Sequence, residues 1–168
     1  MSPLPHENLL TALGEVAAAF VGFSLVVGIL RERSSSPAKE IPGVYSMRDV
    51  AEIGLTAVGA SFLPLVIHGF GASPETTWRL ASGALFVVGV VAVGFSVRRQ
   101  GFVNLRDFKY ALIGILNLGS FGLLLSNVLM VGPTSGARYS AVVLLALTVA
   151  GVLFVSTTFW KSGNPPAA

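Results

Sequence analysis

Five stretches of about twenty mostly apolar residues dominate this sequence. Each is long enough to cross the ~30 Å hydrocarbon core of a bilayer as a helix. They run over 9–30, 51–70, 80–97, 110–131 and 139–160. The third is slightly short. The second is the least apolar, with Glu52 near its start and Pro64 inside. In hydrocarbon every backbone N–H and C=O must be bonded within the protein, and a helix does this within one segment. The expected fold is therefore all-α: a polytopic transmembrane bundle of five spans, with residues 1–168 forming a single membrane domain.

Composition leads to the same solvent. Charged residues are 11 % of the chain, against about 25 % in soluble domains. With no cysteine, disulfides, thiolate metal sites and cysteine nucleophiles are excluded. Two histidines leave little for haem or zinc, so neither a metal nor a cofactor is expected. The lipid bilayer is the expected partner. The net charge of +3 does not indicate nucleic acid, because the basic residues follow topology.

Arg31, Arg33, Lys39 and Arg48 separate the first two stretches; Arg98, Arg99, Arg106 and Lys109 separate the third and fourth; Lys161 follows the fifth. The opposite side holds only Arg79 and Arg138. The positive-inside rule then puts the N-terminus outside and the C-terminus in the cytoplasm. The first ten residues contain no Lys or Arg, and Glu15 interrupts the apolar run that follows. The first stretch is expected to be an uncleaved span rather than a signal peptide. The expected location is a bacterial cytoplasmic (inner) membrane. Trp78 and Tyr139 at the outer ends of spans, with Tyr110 and Trp160 at the inner ends, have the placement of interfacial anchors.

The chain also aligns with itself. Arg48-Asp49 matches Arg106-Asp107 at an offset of 58, while Ser61-Phe62 matches Ser120-Phe121, Pro74 matches Pro133 and Arg79 matches Arg138 at 59. One inserted residue reconciles the offsets. Residues 48–100 and 106–161 then read as two copies of a helical hairpin, a parallel repeat about an axis along the membrane normal. Under that alignment His68 and Asn127 are equivalent positions.

Glu15 is the sharpest feature. A carboxyl inside a span is costly and has to meet protein, water or a proton. Thr11, Glu15, Ala18 and Gly22 share one helical stripe, and Gly14, Ala18 and Gly22 form a small-xxx-small series. The first span is expected to pack along this side with Glu15 turned inward. At 1.5 Å per residue Glu15 lies about 9 Å below the outer start of its span. Asn127 falls at a similar level and His68 nearer the surface. A cluster of Glu15, His68 and Asn127 is the main candidate site, joined by Thr11 and by Asn117, which shares a face with Ser120 and Asn127. Pro64 should kink its span and free the carbonyl of Ala60 for an ion, a water or a packing partner. Arg48, Asp49 and Glu52 are candidates for an inner mouth, or for simple solvation and helix capping.

Catalytic motifs are missing. "GFGAS" at 69–73 has neither a preceding strand nor a following lysine, and neither H-E-x-x-H nor G-x-S-x-G occurs. An enzyme is not expected. The function expected is a non-catalytic membrane subunit or scaffold, packed with unlike subunits or in a homo-oligomer. The alternative is a homo-oligomeric ion or proton channel, or small transporter, that uses Glu15.

Overall fold

The computed structural model describes residues 4–34, 47–100, 108–132 and 135–159. The described residues form five helices: α1 (Glu7–Ser34), α2 (Met47–Gly69), α3 (Pro74–Gln100), α4 (Phe108–Val128) and α5 (Gly136–Phe159). No strand occurs among the described residues. Four helices hold stretches long and apolar enough to cross a membrane: Glu7–Leu30, Val50–Gly69, Pro74–Phe95 and Gly136–Ser156. The apolar stretch described in α4, Ile113–Val128, is shorter. Four such helices suggest an integral membrane protein.

Helices α3 and α5 begin at serine caps, ahead of their apolar runs. Ser73 Oγ accepts the N–H of Thr76 at 3.3 Å, with Pro74 and Glu75 in the first turn of α3. Both residue types favour a helix start. Likewise Ser135 Oγ accepts the N–H of Arg138 at 3.3 Å, opening α5. These polar first turns extend helices whose hydrophobic stretches start only at 80 and 139.

Helices α2, α3, α4 and α5 form a ring in which each packs against the next and α5 closes back on α2. Helix α1 lies outside the ring, packed extensively on α2 and more lightly on α5. Its buried face is Leu10, Gly14, Ala17 and Ser24. Gly14 lets the Phe62 ring in: a β-carbon there would stand 3.0 Å from it. A matching contact joins α3 to α4, where a β-carbon on Gly89 would stand 2.9 Å from the Phe121 ring. Such close approach over glycine is how helices bind one another where lipid removes the hydrophobic drive.

The main core cluster gathers Leu10, Ala17, Ala57, Ala60, Trp78, Ala81, Leu124, Tyr139 and Val143; a second gathers Val50, Ile113, Val149 and Leu153. The outward faces are apolar as well, with Val16, Leu55, Val87, Leu118 and Leu144 all exposed. Trp78 and Tyr139 are not interfacial anchors. They are 2 % and 0 % exposed, with ring centroids 5.8 Å apart in the core. Tyr110 and Trp160 lie where side chains are outside the described residues.

Candidate functional site

Pro64 has no N–H to give the carbonyl of Ala60, four residues back. The Tyr139 hydroxyl supplies the missing donor, at 2.8 Å, across 79 residues of chain. Tyr139, Pro64 and Ala60 are all buried. The carbonyl expected to be free for an ion or a water is thus bonded to a phenol. This is how neighbouring helices make proline tolerable inside a membrane span.

His68 and Asn127 tie down loops. His68 Nδ1 lies 2.9 Å from the carbonyl of Ala72. A carbonyl only accepts, so Nδ1 donates, and the bond draws the α2–α3 loop back onto α2. Asn127, fully buried, has its Nδ2 3.2 Å from Ser82 Oγ and 3.4 Å from the Ser135 carbonyl, while its Oδ1 accepts the Ser135 N–H at 3.4 Å. These bonds close the α4–α5 loop and pin α4 to α3. Arg138 reinforces the same loop, its Nη1 donating to the Val131 carbonyl at 2.9 Å and to Ser126 Oγ at 3.3 Å.

Glu15 joins neither of them. It is exposed, on the face of α1 turned away from the ring, and carries no hydrogen bond or ion pair among the described residues. On a helix of 3.6 residues per turn it stands about 160° from Ala17, which is fully buried. Ala18 and Gly22 are exposed with it, and a β-carbon at Gly22 would meet nothing within 4 Å. Only Gly14 of the small-residue series faces another helix. The inward turn expected for Glu15 fails because α1 flanks the ring and uses its opposite side to pack. Thr11, half-buried on the same stripe, donates to the Glu7 carbonyl at 3.1 Å.

The other two members of the polar line on α4 bond within their own helix. Asn117 Nδ2 donates to the Ile113 carbonyl and Ser120 Oγ to the Leu116 carbonyl, each at 2.9 Å. At the other end of the bundle Glu52 is exposed. Arg48 and Asp49 lie in the first turn of α2, with side chains outside the described residues.

An open cavity of about 440 Å³ sits where the N-terminal segment and the two loops meet, lined by His6, Glu75, Trp78, Met130 and Ser135 among others. His6 and Met130 both hold left-handed backbone, with φ of 67° and 57°. Among the described residues no group of three or more His, Cys, Asp or Glu could hold a metal ion.

Tyr139, Ser82 and Ser135 were not among the sequence candidates. A proline inside a span does announce that the fourth residue before it needs a donor, but not which residue provides it. Comparison with family models, with curated proteins and with solved structures finds no match for this chain.

Proposed function

We propose that the chain is a non-catalytic integral membrane subunit that packs in a larger assembly through the α1 face carrying Glu15. One observation carries this reading: the exposed carboxyl of Glu15 within a segment of mean hydropathy 2.1. Glu15 lies about 5 Å from the middle of the segment Glu7–Leu30, well inside a core whose half-thickness is ~15 Å. An acid on the lipid face at that depth costs about 2.5–3.5 kcal/mol on insertion scales. Contact with a further chain removes the cost. The small neighbours Ala18 and Gly22 leave room for a helix to approach.

The same reading takes α4 as a fifth span and keeps the N-terminus outside, following the asymmetry of basic residues. It also takes the chain as a duplicated hairpin. In support, α2 and α4 end 59 residues apart. His68 and Asn127, at that offset, both bond the backbone of the loop that follows.

Extraction of the tagged chain from its own membranes into polymer-bounded native discs tests the assembly. Particles holding more than one chain are expected. Ala18→Leu and Gly22→Leu, which point into open space in the single chain, should cut their abundance about tenfold. Discs that hold a solitary copy of the wild-type chain would overturn the proposal.

A further inference from the structure

We propose that the chain seated on this face is a second copy of the same protein, with α1 packed against α1 about a two-fold axis along the membrane normal and Glu15 meeting Glu15. The inference rests on the assembly reading above and names its partner.

The first argument is depth. Gly14 lies against Ser61 and Phe62, so Glu15 shares their level, eight residues from the end of α2 at Gly69. Equivalent levels on α3, α4 and α5 fall near 82, 120 and 144. The exposed described residues there are Phe62, Leu80, Ala84, Leu118, Gly119 and Leu144. None offers a hydrogen bond. Nearer the other end, the exposed Thr148 already donates to the Leu144 carbonyl at 2.9 Å. Arg79 on α3 is exposed one turn nearer the outer end, where its guanidinium is drawn to the headgroups; at the level of Glu15 itself, a copy docked with α1 against these other faces would leave the carboxyl on hydrocarbon.

Symmetry removes the mismatch. Copies inserted in one orientation carry each residue at one depth, and a two-fold contact is self-complementary. Each Glu15 then faces its counterpart. The carboxyls can bond through a shared proton, a polar contact of the kind that holds helices together in lipid. Ala18 and Gly22, one and two turns further on, meet their own counterparts and allow close approach.

The absence of cysteine makes the contact directly readable. Gly22→Cys and Ala18→Cys are purified separately and reconstituted at high lipid-to-protein ratio, then oxidised. A disulfide requires Cα atoms about 4.4–6.8 Å apart, so only a true α1–α1 contact joins them. At least one of these variants should give about ten times the dimer of Val16→Cys, which is exposed on another side of α1. In the cross-linking background Glu15→Gln, which keeps a donor and an acceptor, should retain the dimer, and Glu15→Ala should lower it several-fold.

Failure of both stripe positions to exceed Val16→Cys overturns the second copy. If multichain discs persist from native membranes in that case, the partner is an unlike chain and the assembly reading stands. If the discs hold single copies as well, both readings fall. Equal dimer from Glu15→Ala and wild type overturns the role given to the carboxyl.

Discussion

The hydroxyl of Tyr139 takes the place of a backbone donor on Ala60, at 2.8 Å. The proline that creates the vacancy is on α2, and the residue that fills it is in the first turn of α5. A helix defect and the joint between two helices of the ring are therefore the same interaction.

Tyr139→Phe removes only the hydroxyl and strands the Ala60 carbonyl in a buried, apolar setting. A loss of about 1–3 kcal/mol of stability is expected. Pro64→Ala restores the helical N–H to that carbonyl, so Tyr139→Phe should cost about 1 kcal/mol less in the Pro64→Ala background. Unfolding of the four variants in a fixed detergent, as a double-mutant cycle, measures the difference. Additive losses would show that the phenol does not act for the proline.

The two loop clamps differ in burial, and their losses should differ accordingly. Asn127→Ala leaves the Ser135 N–H without its acceptor and the Ser82 hydroxyl without its amide, in a fully buried position. About 1–3 kcal/mol is expected. His68→Ala breaks the bond to the Ala72 carbonyl at a half-buried site, for which about 0.5–1.5 kcal/mol is expected. Hydrogen exchange should localise each effect, with faster exchange in the α4–α5 loop for Asn127→Ala and in the α2–α3 loop for His68→Ala.

What could be read from the sequence divides along a physical line. The helices and their approximate limits were legible because length and apolarity are local properties. Pro64 announced a stranded carbonyl at Ala60 for the same reason. The donor was not legible, since Tyr139 lies 79 residues away and nothing local distinguishes it from an interfacial anchor. The direction of Glu15 failed for a deeper reason. In a soluble helix the apolar stripe marks the inside, but in lipid the surroundings are as apolar as the core. The periodicity of α1 therefore carries no sign. Small and polar residues at Thr11, Glu15, Ala18 and Gly22 set one side of α1 apart from its apolar sides, yet they do not say whether the chain's own helices cover it. That answer came from the ring, which leaves α1 at its edge.

Two glycines on α1 make the inner and outer faces measurable. Gly14→Ala would set a β-carbon 3.0 Å from the Phe62 ring and 3.2 Å from the Ser61 β-carbon, so α1 must shift or the ring must turn. A loss of about 1–3 kcal/mol is expected from this overpacking. Gly22→Ala meets open space and should be neutral or gain up to about 1 kcal/mol from helix propensity. Thermal unfolding in a detergent that keeps the chain monomeric compares the two. Equal losses at both positions would contradict the placement of Gly22 on the outer face.

Orientation in the membrane is the last expectation, and it follows from charge alone. Nine of the eleven basic residues lie on the side assigned to the cytoplasm, and Arg79 and Arg138 lie on the other. Both of these follow the starts of α3 and α5, at the end of the bundle where Pro5 and His6 meet the two loops. If that end is external, a single cysteine at Glu75, which is exposed, should react in intact cells with a maleimide that does not cross membranes. A cysteine at Ser36, between the first and second spans, should react only after lysis. Glu75→Cys and Ser36→Cys need no background substitutions, because the chain holds no cysteine of its own. The reverse pattern would invert the bundle and place Glu15 in the cytoplasmic half. Labelling of both in intact cells would mean that an odd number of crossings does not separate them, and α2, the one helix between the two sites, would then lie on the membrane rather than across it.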